Sequence, residues 1–93
     1  MNMKYFSWSE EKNILLQTER DISFEEIALY IEKGFLLDVL EHPNPEKYPG
    51  QKIFVVQVEG YVYLVPFVES KVEVFLKTII PSRKATREYL GEK

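Results

Sequence analysis

The spacing of apolar residues changes near residue 34 and divides the chain into a helical part and a strand-rich part. In the first part, apolar residues recur every three or four positions, as expected for amphipathic helices. Phe24, Ile27, Ala28 and Ile31 follow this spacing closely, which predicts a helix over residues 24–33. This helix would bury one apolar face against the rest of the protein.

A weaker pattern of the same period precedes this helix. Trp8, Lys12 and Leu15 share one face of a predicted helix over residues 9–19. The motifs Ser7-Trp-Ser-Glu10 and Ser23-Phe-Glu-Glu26 both have the Ser-x-x-Glu spacing of a capping box. We therefore expect two N-terminal helices, the second of them closed by Gly34 in a left-handed C-terminal cap.

After Gly34, β-branched and aromatic residues dominate, and strands become the favoured element. The predicted strands cover residues 35–41, 53–59, 61–68 and 72–80. Gly60 favours a tight hairpin between the second and third strands, and Pro66, which has no N–H to donate, indicates a sheet edge or a bulge. Four successive strands predict an antiparallel meander.

The remaining segments are a loop and a final helix. Residues 42–50 contain three prolines and predict an exposed loop, while Ser82 can cap a short helix over residues 83–90. The predicted order is α-α-β-β-β-β-α, an α+β domain with its helices on one sheet face. Tyr61, Tyr63 and Phe67 share one face of the third strand; we favour a place in the core, with a partner-binding surface as the alternative.

Composition limits the classes of protein that fit. The chain has 93 residues, 45% of them hydrophobic and 14% aromatic, which indicates one folded domain over residues 1–93. It has no cysteine, which fits a reducing compartment such as the cytoplasm. No apolar segment is long enough for a signal peptide core or a membrane span.

Several common chemistries lack their signatures. One histidine and no cysteine do not form a transition-metal site of ordinary spacing, so neither a metal nor a cofactor is expected. The four glycines are isolated, which excludes a glycine-rich phosphate loop. His42 is the one side chain whose ordinary pKa lies near neutrality; an acid-base role and a plain loop position both stay open.

Cations concentrate around the last predicted strand and helix, although the net charge of the chain is −3. They are Lys77, Arg83, Lys84 and Arg87. A phosphate group bound at Ser82 and the start of the helix is one interpretation. The alternatives are a solvated helix face and a Lys77 paired with Glu73.

Four segments together resemble the BrnT family, the toxins of bacterial type II toxin-antitoxin systems. They are Phe6-Ser-Trp8 followed by Lys12, Ile22-Ser-Phe-Glu-Glu-Ile27, the loop with His42 and Tyr48 ahead of a strand led by Lys52, and Ile79-Ile-Pro-Ser-Arg-Lys-Ala-Thr86. The resemblance spans nearly the whole chain and keeps the predicted order of elements. It implies a RelE-like fold and an endoribonuclease that needs no metal and is inhibited by an antitoxin, itself a DNA-binding protein encoded beside it.

The resemblance also implies roles for individual residues. Cleavage of RNA requires a base for the ribose 2′-OH, cations at the phosphoryl group and a proton donor for the leaving oxygen. The catalytic residues would be Lys12, Lys52, Lys77 and Arg83. The RNA-binding residues would be His42, Lys47, Tyr48, Lys84 and Arg87, with Tyr48 or Tyr89 stacking on a base.

Two other functions remain open at this stage. The acidic net charge favours a non-catalytic interaction module that keeps the fold and an antitoxin-binding surface without cutting RNA. A weaker alternative is a domain that binds a small molecule or nucleic acid in a groove lined by tyrosines.

Overall fold

Six strands and three helices make up the described part of the chain. The computed structural model describes residues 4–91, so residues 1–3 and 92–93 of the predicted domain lie outside it. The elements are β1 (Tyr5–Ser7), α1 (Glu10–Arg20), α2 (Phe24–Glu32), β2 (Leu36–Glu41), β3 (Lys52–Val58), β4 (Tyr61–Glu69), β5 (Glu73–Leu76), β6 (Ile80–Pro81) and α3 (Arg83–Leu90). The predicted α+β class is confirmed, whereas the predicted number of strands is too low.

One of the two additional strands, β1, precedes the first helix. The sequence predicted a capping box beginning at Ser7, but Ser7 lies in β1, and the N-cap of α1 is Ser9, whose Oγ accepts from Lys12 N at 3.2 Å. A strand of three residues is too short to show an alternating pattern, which explains why it was not predicted.

The other additional strand arises because the predicted strand 72–80 is interrupted. Lys77 N donates to Pro66 O at 2.8 Å, and the chain then rejoins β4 one residue out of step as β6, where Ile80 pairs with Leu64. The interruption lies beside Pro66, so the bulge predicted from this proline is confirmed.

The sheet has the strand order β1-β5-β4-β3-β2, and β6 pairs with β4. The pairs of β2 with β3, of β3 with β4, and of β4 with β5 and β6 are antiparallel, as expected from the short connections between β2 and β6. However, β1 runs parallel to β5, so the prediction of a purely antiparallel sheet is wrong at that edge. The long path through both N-terminal helices and three strands permits this parallel pairing.

The helices cover both faces of the sheet, which corrects the prediction that they share one face. We call the side covered by α1 and α2 the helical face; it includes Phe54, Val56 and Phe67. The opposite side, the open face, carries α3, whose Ala85 packs against Val55 and Val62. Alternation along β3 and β4 buries apolar side chains on both faces, so each face requires a cover.

The main core lies between the helical face and the two N-terminal helices. Phe24 of α2 is fully buried, and its ring stacks on that of Trp8 with centroids 5.6 Å apart. On α1, Leu16 and Asn13 are buried while Leu15 is 45% exposed, so the face predicted from Trp8 and Leu15 is displaced. Phe67 is buried in this core, as favoured from the sequence.

Candidate nucleic-acid interface

The part of the open face that α3 leaves uncovered forms a shallow apolar groove. Its floor consists of Leu40, Ile53, Pro66, Val68 and Phe75, and we call it the open groove. Leu40 is exposed and the other four side chains are half-buried. From β2 to β5 the groove crosses four strands, a width of about 14 Å at the usual strand spacing. This width suits a segment of single-stranded nucleic acid.

One border of the groove is α3, which contributes three of the predicted cations. Its N-cap is Ser82, whose Oγ accepts from Ala85 N at 3.0 Å. Thr86 anchors the helix to the sheet, because its Oγ1 accepts from Val62 N at 2.9 Å. These contacts turn one side of α3 to the sheet, and the cations on its exposed positions are Arg83, Lys84 and Arg87.

The end of α3 is attached to the edge strand β2. Tyr89 donates its hydroxyl to Asp38 Oδ2 at 2.8 Å. This hydrogen bond, with burial and the nearby negative charges, raises the pKa of Tyr89. Of the two tyrosines expected to stack on a base, Tyr89 is therefore held by a structural contact, and Tyr48 is the better candidate.

The β2–β3 loop brings His42, Lys47 and Tyr48 together at the opposite border. The rings of His42 and Tyr48 are 4.3 Å apart, and Lys47 Nζ lies 5.5 Å from the Tyr48 centroid. His42 N donates to Gln51 O, which extends the β2–β3 ladder by one residue. Because side chains alternate along a strand, His42 points to the same face as Leu40, the open face.

Lys77 lies at the β5 side of the groove. It follows β5 directly and is exposed, and its side chain alternates with that of Phe75 toward the open face. The ion pair with Glu73 considered from the sequence does not form: Glu73 Oε2 accepts a hydrogen bond from Ser7 Oγ instead. Within residues 4–91 the one ion pair joins Lys4 and Glu69.

Lys52, by contrast, begins β3 on the helical face. It pairs with Phe67 and alternates with Phe54, and its charge acts on Glu69. The hydrogen bond from Lys4 is the main cause that lowers the pKa of Glu69, and the positive charges of Lys4 and Lys52 act in the same direction. Lys52 thus contributes to a charged group at the end of the sheet rather than to the open groove.

Lys12 also belongs to the helical side, where it is half-buried on α1. It lines an open cavity of about 450 Å³ together with Ile14 and Leu15, both of which are exposed. The structure therefore distributes the predicted site residues over the two sides of the sheet. His42, Lys47, Tyr48 and Lys77 border the open groove, α3 adds its three cations, and Lys12 and Lys52 lie apart from the groove.

Sequence reasoning missed the groove floor. The alternating apolar residues of β3 and β4 show that both strand faces are buried to some degree, but not that α3 covers only half of one face. It also missed the Ser7–Glu73 hydrogen bond, because β1 was not predicted and the parallel pairing that joins Tyr5 to Glu73 is remote in sequence.

Other classes of site were searched for in the same residues. Between residues 4 and 91, no group of three or more His, Cys, Asp or Glu side chains is arranged to hold a metal ion. None of the described helices is long and apolar enough to cross a membrane. No known protein family, curated protein or solved structure matches this chain.

Proposed function

We propose that this protein is an endoribonuclease toxin of the BrnT type, with a RelE-like fold, that acts in the cytoplasm without a metal and is inhibited by a cognate antitoxin. The observation that carries the proposal is the open groove, an apolar floor bordered by the His42 loop, Lys77 and the basic helix α3. Such a surface combines positive charge for phosphates with aromatic groups for unstacked bases. The segments that resemble BrnT toxins supply this loop, Lys77 and α3.

In this proposal, the ribose 2′-oxygen attacks the adjacent phosphorus, and the bond from phosphorus to the 5′-oxygen breaks. The products are a 2′,3′-cyclic phosphate and a 5′-hydroxyl. Arg83 has the fork of donors that can bind two phosphoryl oxygens, whereas Lys77 is a point charge suited to the leaving oxygen. Lys12 and Lys52 complete the set implied by the resemblance.

The test is cleavage of a mixed RNA pool by purified protein in the presence of EDTA, with Arg83→Ala beside the wild type. We expect wild-type cleavage that survives EDTA and a loss of about a hundredfold in the variant. Lys33→Ala is a suitable control, because Lys33 caps α2 and lies over the Tyr30 ring, away from the groove. Absence of cleavage by folded wild-type protein contradicts the nuclease.

A second candidate, a non-catalytic module that binds the antitoxin, is favoured by the distribution of the cations. Lys12 and Lys52 belong to the helical side, whereas Arg83 belongs to the helix on the opposite face, and the net charge is −3. This candidate predicts tight binding of the product of the adjacent reading frame without growth arrest on induction. Growth arrest that Arg83→Ala relieves would eliminate it.

A further inference from the structure

The two ring nitrogens of His42 have different surroundings. Nδ1 accepts a hydrogen bond from Asn44 N at 3.0 Å. Nε2 has no partner within residues 4–91, and in that part of the chain every buried side-chain nitrogen or oxygen has a hydrogen-bond partner. Nε2 is therefore open to solvent, at the border of the open groove.

The contact with Asn44 determines which tautomer the neutral ring adopts. A nitrogen that accepts an N–H has its lone pair engaged, so the proton of the neutral imidazole resides on the other nitrogen, Nε2. Placing a second proton on Nδ1 would set two donors against each other and break the contact. His42 thus presents an N–H donor to the groove, an arrangement that suits binding rather than proton transfer.

The loop holds this arrangement in place before any ligand arrives. Asn44 O accepts from Tyr48 N at 3.0 Å and Asn44 Oδ1 accepts from Lys47 N at 3.3 Å, so the residue that orients His42 is itself fixed. Three prolines between His42 and Gly50 further restrict the backbone. A donor that is already oriented loses little conformational entropy on binding.

We infer that His42 is a phosphate-binding residue that acts as a neutral hydrogen-bond donor, and not as the acid or base of RNA cleavage. Its Nε2–H donates to a backbone phosphate oxygen of single-stranded RNA lying in the open groove, and Lys47 beside Tyr48 adds a positive charge. This inference rests on the proposed function for the identity of the ligand. It also decides between the two roles that the sequence left open for His42.

Two substitutions separate the roles. His42→Gln keeps a side-chain N–H donor but cannot exchange a proton near neutrality, and His42→Phe keeps a ring against Tyr48 but has no donor. With a 2′-O-methyl RNA, which cannot be cleaved, fluorescence anisotropy should show binding weakened about tenfold in His42→Phe and within about threefold of wild type in His42→Gln.

Cleavage of normal RNA then tests proton transfer. We expect His42→Gln to keep the shape of the wild-type pH-rate profile. The other ionisable groups near His42 are Tyr48 and Lys47 in the loop, while the adjacent Glu41 and Lys52 alternate onto the helical face. Loss of one limb of the profile, with binding unchanged, would overturn the inference in favour of an acid or base.

The tautomer is measured without RNA by long-range ¹H–¹⁵N correlation of the imidazole near neutral pH. A proton on Nε2 is expected, and a proton on Nδ1 overturns the inference. If wild-type protein binds no RNA, the proposed function and the ligand assigned to His42 both fail. If wild type binds RNA and His42→Phe binds equally well, only the role of His42 fails.

Discussion

Tyr89 at the end of α3 donates a hydrogen bond to Asp38 of β2, with 2.8 Å between the phenol oxygen and Oδ2. The other carboxylate oxygen of Asp38 accepts from Val39 N, also at 2.8 Å, on the outer edge of the sheet. One aspartate therefore satisfies an edge-strand donor and attaches the helix that borders the open groove. The position of α3 depends on this contact as well as on apolar packing beneath Ala85.

Tyr89→Phe removes the hydrogen bond and keeps the ring. We expect a loss of roughly 0.5–1 kcal/mol in the free energy of unfolding near neutral pH, because the contact is partly exposed. Urea denaturation measures it, with Tyr48→Phe as a control that should change stability little. A loss of several kcal/mol would contradict the view that packing supports most of α3.

The raised pKa of Tyr89 adds a pH dependence. A group with a higher pKa in the folded state contributes its full stability below its unfolded pKa, about 10 for tyrosine, and loses it as the pH rises through the folded value. The stability difference between wild type and Tyr89→Phe should therefore shrink at strongly alkaline pH. A difference that grows there would contradict the assigned cause.

Most helices and strands were predictable because each has a local cause. Ser23 and Ser82 cap α2 and α3 through backbone N–H groups three residues ahead, and Gly34 and Gly60 adopt positive φ. The faces of the sheet were not predictable in this way. Val55 and Phe54 are both buried, so alternation does not reveal which helix covers which face. Only the long-range packing of α3 decides it.

Asn13 is the buried polar residue with the most to lose. Its Oδ1 accepts from Phe24 N and its Nδ2 donates to Glu25 Oε1, both at 2.8 Å, so it joins α1 to the start of α2. Asn13→Ala leaves the Phe24 N–H buried without an acceptor, and we expect a loss of about 2–3 kcal/mol. Urea denaturation tests this. The control is Gln17→Ala on the exposed side of α1, where little change is expected.

The candidate site was predictable where its residues are close in sequence. His42, Lys47 and Tyr48 belong to one Pro-rich loop, and the structure brings them into contact. Lys52 was grouped with Arg83 by resemblance alone. Its place on the helical face follows from its register with Phe67, which depends on the hairpin turn at Gly60 rather than on anything adjacent to Lys52. Strand register is a long-range property that residue spacing specifies only when the turn is read correctly.

The hairpin turn between β3 and β4 offers a stabilising substitution. Glu59 and Gly60 both have positive φ, 52° and 82°, as a type I′ turn requires. Glutamate carries a steric penalty in this conformation, and asparagine tolerates it better. Glu59→Asn should raise the free energy of unfolding by about 0.5–1 kcal/mol. Glu46→Asn in the exposed β2–β3 loop is the control, and a loss of stability in Glu59→Asn would argue against this turn.

Glu69 should contribute stability that disappears in acid. Its pKa is lowered mainly by the hydrogen bond from Lys4, at 2.6 Å. A carboxyl with a lowered folded pKa contributes above its unfolded value, near 4.5, and loses the contribution as the pH falls through the folded value. Because the pair is partly exposed, Glu69→Gln should cost less than about 1 kcal/mol at neutral pH and nothing in strong acid. A cost that persists in strong acid would contradict an ionic origin.

The salt dependence of RNA binding tests whether RNA occupies the open groove. Each phosphate contact made by a cation contributes about −0.7 to the slope of log K against log salt for a single strand. Lys77→Ala should therefore reduce the magnitude of this slope by about 0.7 for a non-cleavable RNA, because Lys77 faces the groove beside Phe75. Lys33→Ala, a substitution of the same charge on the helical side, should leave the slope unchanged. Equal slopes for wild type and Lys77→Ala, or an equal reduction in both variants, would place the RNA elsewhere on the protein.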